Sequence, residues 1–473
     1  MKINLQVAWL PDLIYVDGRW QRDVALVCDD EGQIIRLAPA ALVENPVRLA
    51  NRALLPGLIN AHSHAFQRVI RGRTEQRTQN QRDTFWSWRE MMYSAATRLS
   101  PEDVYDASRM TFLEMALGGI TAVGEFHYLH HAPDGTRYAD PNLIAKEVLR
   151  AASDVGLRIA LLRVAYGRSG FETELDPRQA RFIEKDPQKY LKQVDDLSSY
   201  LVNNREGGAA RSRSQWVGIA PHSVRAVPLP YLKEVVRYGN EKLLPIHMHV
   251  AEQTAEVSAC IHEYGRSPVA LLSTEGLFSD RFTAVHAIHV TAKAIASMAE
   301  AGAMVCACPT TERNLGDGVV PAELLFDKGV RVALGTDSQA QIDLLEDARE
   351  LEYHLRLQKT ERAVLAANDD NRTSGLAARL FHCATSNGAE SIGAPGGKLA
   401  AGRPADFFTV HLDDPSIAGA NEDDLLSNIV FAQSHSAVRD VVIGGRQIVA
   451  AGRHSAQEEI VARFQQLQKK LWG

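Results

Sequence analysis

The stretch LLPGLINAHSHAFQR, residues 54–68, begins as an apolar run and ends in two histidines separated by one serine. Side chains two residues apart on a β-strand point to the same side, so His62 and His64 are predicted to face one point in space. Two imidazoles placed in this way could form half of a metal site, or could be two polar residues at the mouth of a loop. If the first interpretation is right, other parts of the chain must supply the missing ligands.

Apolar runs rich in β-branched residues recur along the chain, and several of the stretches between them have helical spacing. The predicted strands are LLPGLINAH (54–62), TAVGEFHY (121–128), RIALLRVAY (158–166), QWVGIAPH (215–222), LLPIHMHV (243–250), TAVHAIHV (283–290), AMVCACP (303–309) and RVALGTD (331–337). Continuous apolar strands that alternate with helices are typical of a parallel sheet covered on both faces. Eight such units predict an α/β fold, a (β/α)8 barrel of the TIM type, with the active site at the C-terminal ends of the strands.

The two ends of the chain have a different pattern of short strands and turns. We expect residues 1–53 and 397–453 to pair into one small β domain, a β-sandwich, beside a barrel formed by residues 54–396. Residues 454–473 have the spacing of an amphipathic C-terminal helix that packs on the surface. The polar stretch NREGGAARSRS (204–214) is predicted to be a solvated loop before the fourth strand.

The composition is that of a globular protein, with 45% hydrophobic and 23% charged residues in a chain of 473. The net charge of −6 is small for this length and argues against a nucleic-acid partner. Five cysteines form no disulfide framework in so long a chain and favour a reducing compartment; Cys306 and Cys308 are interpreted as small residues of a buried strand. We find no leader-like N-terminus and no run of 18 apolar residues, and therefore expect a cytoplasmic protein without a membrane partner.

Polar residues at other predicted strand ends could supply the missing ligands. The fifth strand ends in HMHVAE (247–252), the sixth carries His286, and the eighth ends in GTD (335–337). Each residue has a simpler explanation, since strand-end histidines are often only hydrogen-bonded and an aspartate after a strand often caps a helix. Together, three imidazoles and one carboxylate form a site suited to zinc or iron, with a position left open for water.

These motifs resemble those of the amidohydrolase superfamily over essentially the whole chain. PGLINAHSH (56–64) is similar to the superfamily's opening motif, GTDS (335–338) to its strand-8 motif, and GGKLAAGRPADFFTV (396–410) to the segment that returns to the small β domain. Members with two metals bridge them with a carboxylated lysine at the end of strand 4, but QWVGIAPHSVRA (215–226) contains no lysine. The resemblance therefore implies one divalent metal ion, Zn²⁺ first and Fe²⁺ as the alternative.

The resemblance also implies the ligands and the catalytic groups. The implied ligands are His62, His64, His249 and Asp337. His247 has the same facing as His249, but only His249 is followed by a glutamate in the family's His-x-x-Glu pattern. Glu252 would pass a proton to the leaving nitrogen, His286 would hydrogen-bond the nucleophile, and Asp337 would accept the proton of the attacking water. Members with these residues typically release ammonia from an amidine-like carbon.

Several loops resemble one branch of the superfamily, the formimidoylglutamate deiminases. The segments are HSHAFQR (62–68), DTFWSWREMMY (83–93), GEFHYLHH (124–131), APHSVRAV (220–227) and CPTTERNLGDG (308–318). The last of them differs from the Ser-Asn-rich strand-7 motif usual in nucleobase deaminases. This branch implies hydrolysis of N-formimino-L-glutamate to N-formyl-L-glutamate and ammonia, a reaction of histidine degradation.

N-formimino-L-glutamate is a formamidine with two carboxylates, so its pocket must contain cationic donors. The guanidinium of Arg225 suits a carboxylate through two parallel hydrogen bonds, and Arg89 would add a second contact that could reach into the neighbouring subunit of a homodimer. By resemblance the other substrate contacts are Gln67, Tyr128 and His222. Trp86 and Trp88 could form the wall of the pocket or pack in a dimer interface.

Two other functions are compatible with these residues. One is another deaminase of the same superfamily, acting on N-formimino-L-aspartate, guanine or a related purine or pterin. The other is a barrel without catalysis that serves as a scaffold, which the complete set of expected ligands argues against.

Overall fold

The computed structural model describes residues 6–77, 83–204, 214–367 and 372–473. Of the predicted loop 204–214, only the two end residues fall within these ranges. The strands are β1 (Val7–Val16), β2 (Arg19–Gln21), β3 (Val24–Cys28), β4 (Ile34–Pro39), β5 (Val47–Pro56), β6 (Leu58–Ser63), β7 (Ile120–His127), β8 (Arg158–Ala165), β9 (Gln215–Pro221), β10 (Ile246–Val250), β11 (Phe282–His286), β12 (Met304–Ala307), β13 (Val332–Leu334), β14 (Phe407–His411), β15 (Val438–Ile443), β16 (Arg446–Ala450) and β17 (Arg453–His454).

Helices connect most of the strands. The α-helices are α1 (Phe85–Ala96), α2 (Pro101–Leu117), α3 (Leu143–Val155), α4 (Pro187–Asn203), α5 (Leu229–Glu241), α6 (Thr254–Tyr264), α7 (Pro268–Thr274), α8 (Ala292–Glu300), α9 (Pro309–Leu315), α10 (Ala322–Asp327), α11 (Leu344–Lys359), α12 (Gly375–Cys383), α13 (Ser386–Ile392), α14 (Leu425–Ala432) and α15 (Gln457–Trp472). Short 3-10 helices cover Ala40–Leu42, Ala65–Ile70, Pro177–Gln179 and His435–Ala437. In the described ranges, no helix has both the length and the apolar composition needed to cross a lipid bilayer.

Strands β6 to β13 form an eight-stranded parallel sheet in chain order, which confirms the predicted (β/α)8 barrel. Every residue of β6, β7, β8 and of β10 to β13 is buried. Because neither face of these strands meets water, most of their residues are apolar, and their polar residues, such as His247 and His249 of β10, are buried as well.

The first and last strands of the barrel meet beside the predicted ligands. The backbone N–H of Asp337 donates to the carbonyl of His62, and the N–H of His64 donates to the carbonyl of Asp337, both at 3.0 Å. This close approach requires glycine at position 335, where an added Cβ would lie 2.7 Å from the Cβ of His62. The backbone that brings β6 and β13 together therefore also brings their metal-ligating residue types together.

The two ends of the chain meet in a second, mixed sheet with the strand order β17-β16-β15-β14-β5-β1-β3-β4, and β2 pairs with β1. Strand β5 runs antiparallel to β14, with Pro56 opposite Phe407, so the chain passes from this sheet into the barrel at Gly57. The predicted start of the barrel at residue 54 therefore differs from this crossing point. Residues 54–56 belong to the small sheet and residues 58–62 to the barrel, and all of them are buried. Hydrophobicity therefore does not change where one sheet ends and the other begins.

A buried ion pair joins the small sheet to the barrel. The guanidinium of Arg158, at the start of β8, donates to both carboxylate oxygens of Asp406 at 2.6 and 3.0 Å. Both side chains are almost fully excluded from solvent. Removing one partner of such a pair would leave an uncompensated buried charge, so the pair holds the two sheets in a defined arrangement.

The C-terminal helix α15 packs against α2. Its buried face carries Ile460, Phe464, Leu467 and Leu471. At the edges of this contact, Arg109 donates to Glu459 and Lys470 donates to Asp103. This is the arrangement expected for an amphipathic helix on the surface of a barrel.

Candidate active site

Three imidazoles and one carboxylate converge at the C-terminal ends of the barrel strands. The Nε2 atoms of His62 and His64 lie 3.2 Å apart, those of His64 and His249 lie 3.4 Å apart, and those of His249 and His62 lie 3.1 Å apart. The Oδ1 atom of Asp337 lies 3.4 Å from Nε2 of His62 and 3.1 Å from Nε2 of His64. All four side chains are buried. The structure thus brings together all four residues predicted to bind the metal.

These separations fit a tetrahedral metal ion. Ligand atoms at about 2.0–2.1 Å from a common centre are about 3.3–3.4 Å from one another in a tetrahedron. Burial lowers the pKa of His62 to about 3 and holds the pKa of His249 well below its ordinary value, so both rings are neutral. Burial raises the pKa of Asp337, but the adjoining side chains of His62 and His64 outweigh this and hold it well below the ordinary range. Neutral nitrogen lone pairs around a carboxylate are the donor set that a first-row divalent cation requires.

Backbone carbonyls orient two of the imidazoles. The Nδ1 atom of His64 lies 3.0 Å from the carbonyl oxygen of Phe126, and Nδ1 of His249 lies 3.1 Å from the carbonyl oxygen of His222. A carbonyl oxygen only accepts, so the proton of each ring is on Nδ1 and the lone pair of Nε2 faces the cluster. Nδ1 of His62 is buried and has no hydrogen-bond partner among the described residues.

His247 and His249 share one face of β10, but only His249 joins the cluster. The Nε2 atom of His247 lies 2.9 Å from the carbonyl oxygen of Ser391 and 3.2 Å from its hydroxyl, in α13. Burial lowers the pKa of His247 to about 4, so this ring is a neutral structural group. The geometry therefore agrees with the choice of His249 that the His-x-x-Glu pattern implies.

A hydrogen-bond network behind the cluster anchors the HSH segment. Ser63 points away from its two histidine neighbours and donates to Glu125 at 2.6 Å, while the backbone N–H of Ala65 donates to the other oxygen of Glu125 at 2.7 Å. The amide of Gln339 donates to the hydroxyl of Ser63 at 2.9 Å and to the carbonyl of Asp337 at 2.8 Å. The network links β6, β7 and the end of β13. Sequence reasoning assigned no role to Glu125, although a carboxylate inside the apolar run TAVGEFHY was a visible signal.

His286 lies beside the cluster and is surrounded by carboxylates. Its Nε2 atom is 3.7 Å from Oε1 of Glu252 and 3.8 Å from Oδ2 of Asp337, and its Nδ1 atom is 3.2 Å from Oε1 of Glu312. Burial lowers the pKa of His286, but the three carboxylates outweigh burial and raise it well above the ordinary value. The carboxylates therefore favour the protonated form of the ring. His286 and Asp337 have φ values of 70° and 47°, a left-handed conformation that non-glycine residues seldom adopt.

Glu312 was missed by sequence reasoning as a site residue. It belongs to CPTTERNLGDG, the segment that differs from the Ser-Asn-rich motif of nucleobase deaminases. Its side chain is 1% exposed, and its Oε1 atom also accepts the backbone N–H of Cys308 at 2.9 Å. A carboxylate in that motif was the available signal, but its contact with His286 depends on how β11 and β12 pair.

A pocket leads to the cluster, and its volume, including the space at its open mouth, is about 520 Å³. All five residues predicted to bind substrate line it: Gln67, Arg89, Tyr128, His222 and Arg225. The predicted catalytic residues Glu252, His286 and Asp337 line it as well. Aromatic side chains, including Trp88 and Tyr166, complete its walls.

Two guanidiniums lie near each other at this pocket. The carbon atoms of the Arg89 and Arg225 guanidiniums lie 5.2 and 6.0 Å from the centre of the Trp86 ring. Arg89 also donates to the hydroxyl of Tyr93. Nη1 of Arg225 is buried and lacks a hydrogen-bond partner in the described part of the chain. Arg89 lines the pocket of its own chain, so its role there does not require a second subunit.

The other predicted contacts offer neutral polar groups. The side-chain amide of Gln67 donates to the hydroxyl of Tyr128 at 2.8 Å, and its carbonyl oxygen has no partner within the described ranges. Burial, and next the charge of Arg225, hold the pKa of His222 well below the ordinary value. The pocket therefore combines positive charge with neutral donors and acceptors, as an anionic ligand requires.

A model of the amidohydrolase family matches residues 53–448. The chain belongs to the amidohydrolase family. A formimidoylglutamate deiminase from Pseudomonas aeruginosa is 37% identical over 453 residues, which cover 96% of this chain and 96% of that protein. A 5-methylthioadenosine/S-adenosylhomocysteine deaminase from Natronomonas pharaonis is 27% identical over 432 residues, 90% of this chain and 89% of that protein. The resemblance to formimidoylglutamate deiminases is confirmed, and this member of the family is a deaminase.

Solved structures share the whole architecture. The crystal structure of an amidohydrolase from Brucella melitensis has a TM-score of 0.89 at 33% identity, covering 99% of this chain and all of that one. An adenosine deaminase from Xanthomonas campestris, crystallised with bound zinc, has a TM-score of 0.82 at 22% identity over 98% of each chain, and shows the fold alone. The family and the 37% identity to a formimidoylglutamate deiminase establish a hydrolase that acts on C–N bonds and argue against the scaffold interpretation.

Proposed function

We propose that the protein hydrolyses N-formimino-L-glutamate to N-formyl-L-glutamate and ammonia in the cytoplasm, as a step of histidine degradation. The observation that carries this proposal is the pair Arg89 and Arg225, whose guanidiniums line the pocket that ends at the histidine and aspartate cluster. The substrate has two carboxylates at one end and a formamidine at the other, which matches a pocket with cations at one end and metal ligands at the other. The 37% identity to a formimidoylglutamate deiminase supports the same substrate.

The cofactor of the proposed reaction is one divalent ion, zinc, held by His62, His64, His249 and Asp337. Such an ion lowers the pKa of a water molecule and supplies a nucleophile near neutral pH. The donor set of three imidazoles and one carboxylate, with ligand atoms 3.1–3.4 Å apart, supports zinc over larger ions that prefer oxygen.

The chain's own residues then move the protons. Water attacks the formimino carbon, and Asp337 accepts a proton of that water through Oδ2. The imidazolium of His286 donates from Nε2 to the attacking oxygen and stabilises the negative charge that develops there. Burial raises the pKa of Glu252, which suits a group that takes a proton from the attacking water and delivers it to the leaving nitrogen. The leaving nitrogen receives both protons of the water, one from Asp337 and one from Glu252, so the C–N bond breaks, ammonia leaves, and the formyl group stays on the glutamate nitrogen.

The two arginines hold the glutamate end. Nη1 of Arg225 has no partner in the described chain and is available to a carboxylate, and a bidentate contact would also fix the direction of the formamidine toward the cluster. Arg89 contacts the second carboxylate. Gln67, Tyr128 and His222 orient the formamidine through neutral hydrogen bonds. A purine offers no carboxylate to this end of the pocket.

The first experiment is ammonia release by zinc-loaded protein from N-formimino-L-glutamate, with N-formimino-L-aspartate, guanine and 5′-methylthioadenosine in parallel. We expect fast turnover of the glutamate derivative and slower turnover of the aspartate derivative, whose chain is shorter by one methylene. Faster turnover of either purine would contradict the proposal and favour the purine deaminases that are also related to this chain. Light scattering on the same preparation tests the expected homodimer.

A further inference from the structure

A second group of metal-ligating side chains lies directly beside the first. It consists of His286, Cys308 and Asp337, all buried, and their ligand atoms lie within 4.8 Å of one another. The reaction proposed above uses His286 and Asp337 but gives no role to Cys308. Nitrogen, sulfur and oxygen donors gathered in this way are typical of a zinc site.

Asp337 can serve both groups at the same time because its two oxygens face different ways. Oδ1 lies 3.4 and 3.1 Å from the Nε2 atoms of His62 and His64. Oδ2 lies 3.8 Å from Nε2 of His286. A carboxylate divided in this manner can bridge two cations.

Glu312 holds the other two donors in place. One of its oxygens faces Nδ1 of His286 at 3.2 Å and accepts the backbone N–H of Cys308 at 2.9 Å. A carboxylate on Nδ1 leaves Nε2 of the ring for a metal, the arrangement in which metal-ligating histidines are usually held. The carboxylates of Glu252 and Glu312, both near His286, would offset the charge of a second cation.

We propose that His286, Cys308 and Asp337 form a second, inhibitory metal site that fills only when a thiophilic cation such as zinc or cadmium is in excess. The cation binds Nε2 of His286 and the thiolate of Cys308, and the protons of both groups pass to solvent. Nε2 of His286 and Oδ2 of Asp337 lie 3.8 Å apart, whereas the ligand atoms of the first site lie 3.1–3.4 Å apart. The wider spacing favours weaker binding. Occupation withdraws His286 from the nucleophile and places a cation beside Glu252, so hydrolysis stops.

The test begins with protein that holds one equivalent of zinc. Cadmium is added, and the bound metal is counted by equilibrium dialysis while the ultraviolet thiolate-to-cadmium charge-transfer band is recorded. We expect a second equivalent together with this band. In Cys308→Ser and Cys308→Ala the band and the second equivalent should disappear while the first equivalent stays. Cys383→Ser is the matched control, since Cys383 is buried in α12 and lies outside the group.

Inhibition supplies a second readout. Excess zinc should slow ammonia release by the wild type, and loss of the sulfur ligand should weaken this inhibition by about tenfold or more, the lower range seen when a metal site loses a supporting contact. Wild-type protein that binds only one equivalent, or a band or inhibition that persists unchanged in both Cys308 variants, would overturn the proposal. Wild-type protein that binds no metal would instead contradict the first site, so the two failures are distinguishable.

Discussion

Replacing Arg225 by methionine tests the substrate assignment most directly. The side chain lines the pocket, and its Nη1 atom is buried without a hydrogen-bond partner in the described structure. Methionine keeps much of the apolar volume beside Trp86 and removes the charge. Because Nη1 has no partner, the change should leave the thermal stability of the substrate-free protein nearly unaltered.

The expected loss follows from the environment of the guanidinium. Removing one partner of a buried, hydrogen-bonded charge pair costs about 2–5 kcal/mol. Arg225 is partly exposed, so the lower part of this range, about 2–3 kcal/mol, is appropriate. This corresponds to a fall of about 30- to 150-fold in kcat/KM. The contact is to a carboxylate remote from the reacting carbon, so most of the loss should appear in KM.

The assay is steady-state ammonia release from N-formimino-L-glutamate, with formamidine as a comparison substrate that has no carboxylate. Formamidine hydrolysis should be nearly unchanged by Arg225→Met. Arg237→Met serves as the control, because Arg237 lies on the exposed side of α5 and its ion pair there is with Glu241. The reasoning is refuted if kcat/KM for the glutamate derivative is unaltered, or if it falls by the same factor for formamidine.

Further predictions concern the cluster and its surroundings. His249→Ala should abolish metal binding measured by equilibrium dialysis, whereas His247→Ala on the same strand face should keep the metal and lower the free energy of unfolding by about 1–3 kcal/mol through the lost contacts with Ser391. Glu252→Gln should keep the metal and lower kcat by about 10²–10⁴-fold in single-turnover experiments, since it removes a proton carrier; a smaller effect would assign the proton transfer elsewhere. Burial raises the pKa of Glu125 from 4.5 to about 7, so between these values the folded protein keeps a proton that the unfolded chain has lost. Its contribution to stability therefore falls as the pH rises from about 4.5 to about 7, and urea unfolding should show a flatter profile over this range in Glu125→Gln.

The sequence by itself was sufficient to predict the barrel and to propose four residues as metal ligands. The barrel follows from local periodicity, since apolar runs predict strands that are buried on both faces. A two-residue spacing places His62 and His64 on one side of a strand, and the resemblance to the family implies the complete ligand set. Since all strands of a parallel barrel end at one rim, His249 and Asp337 could be assigned to the same site without knowing a distance. The choice between His247 and His249 depended on the family motif, because both share one strand face.

Only the tertiary structure decided what surrounds these ligands. The structure places three further residues near the site, where their neighbours are distant in the chain or on another element: Glu125, Glu312 and Cys308. The sequence does not show this, because a buried carboxylate has the same letter as an exposed one. The transition between the two sheets at Gly57 was equally hidden, because both sheets bury the apolar run that crosses it. Local periodicity records which face of an element is buried. The partners on that face are set by the pairing of the strands.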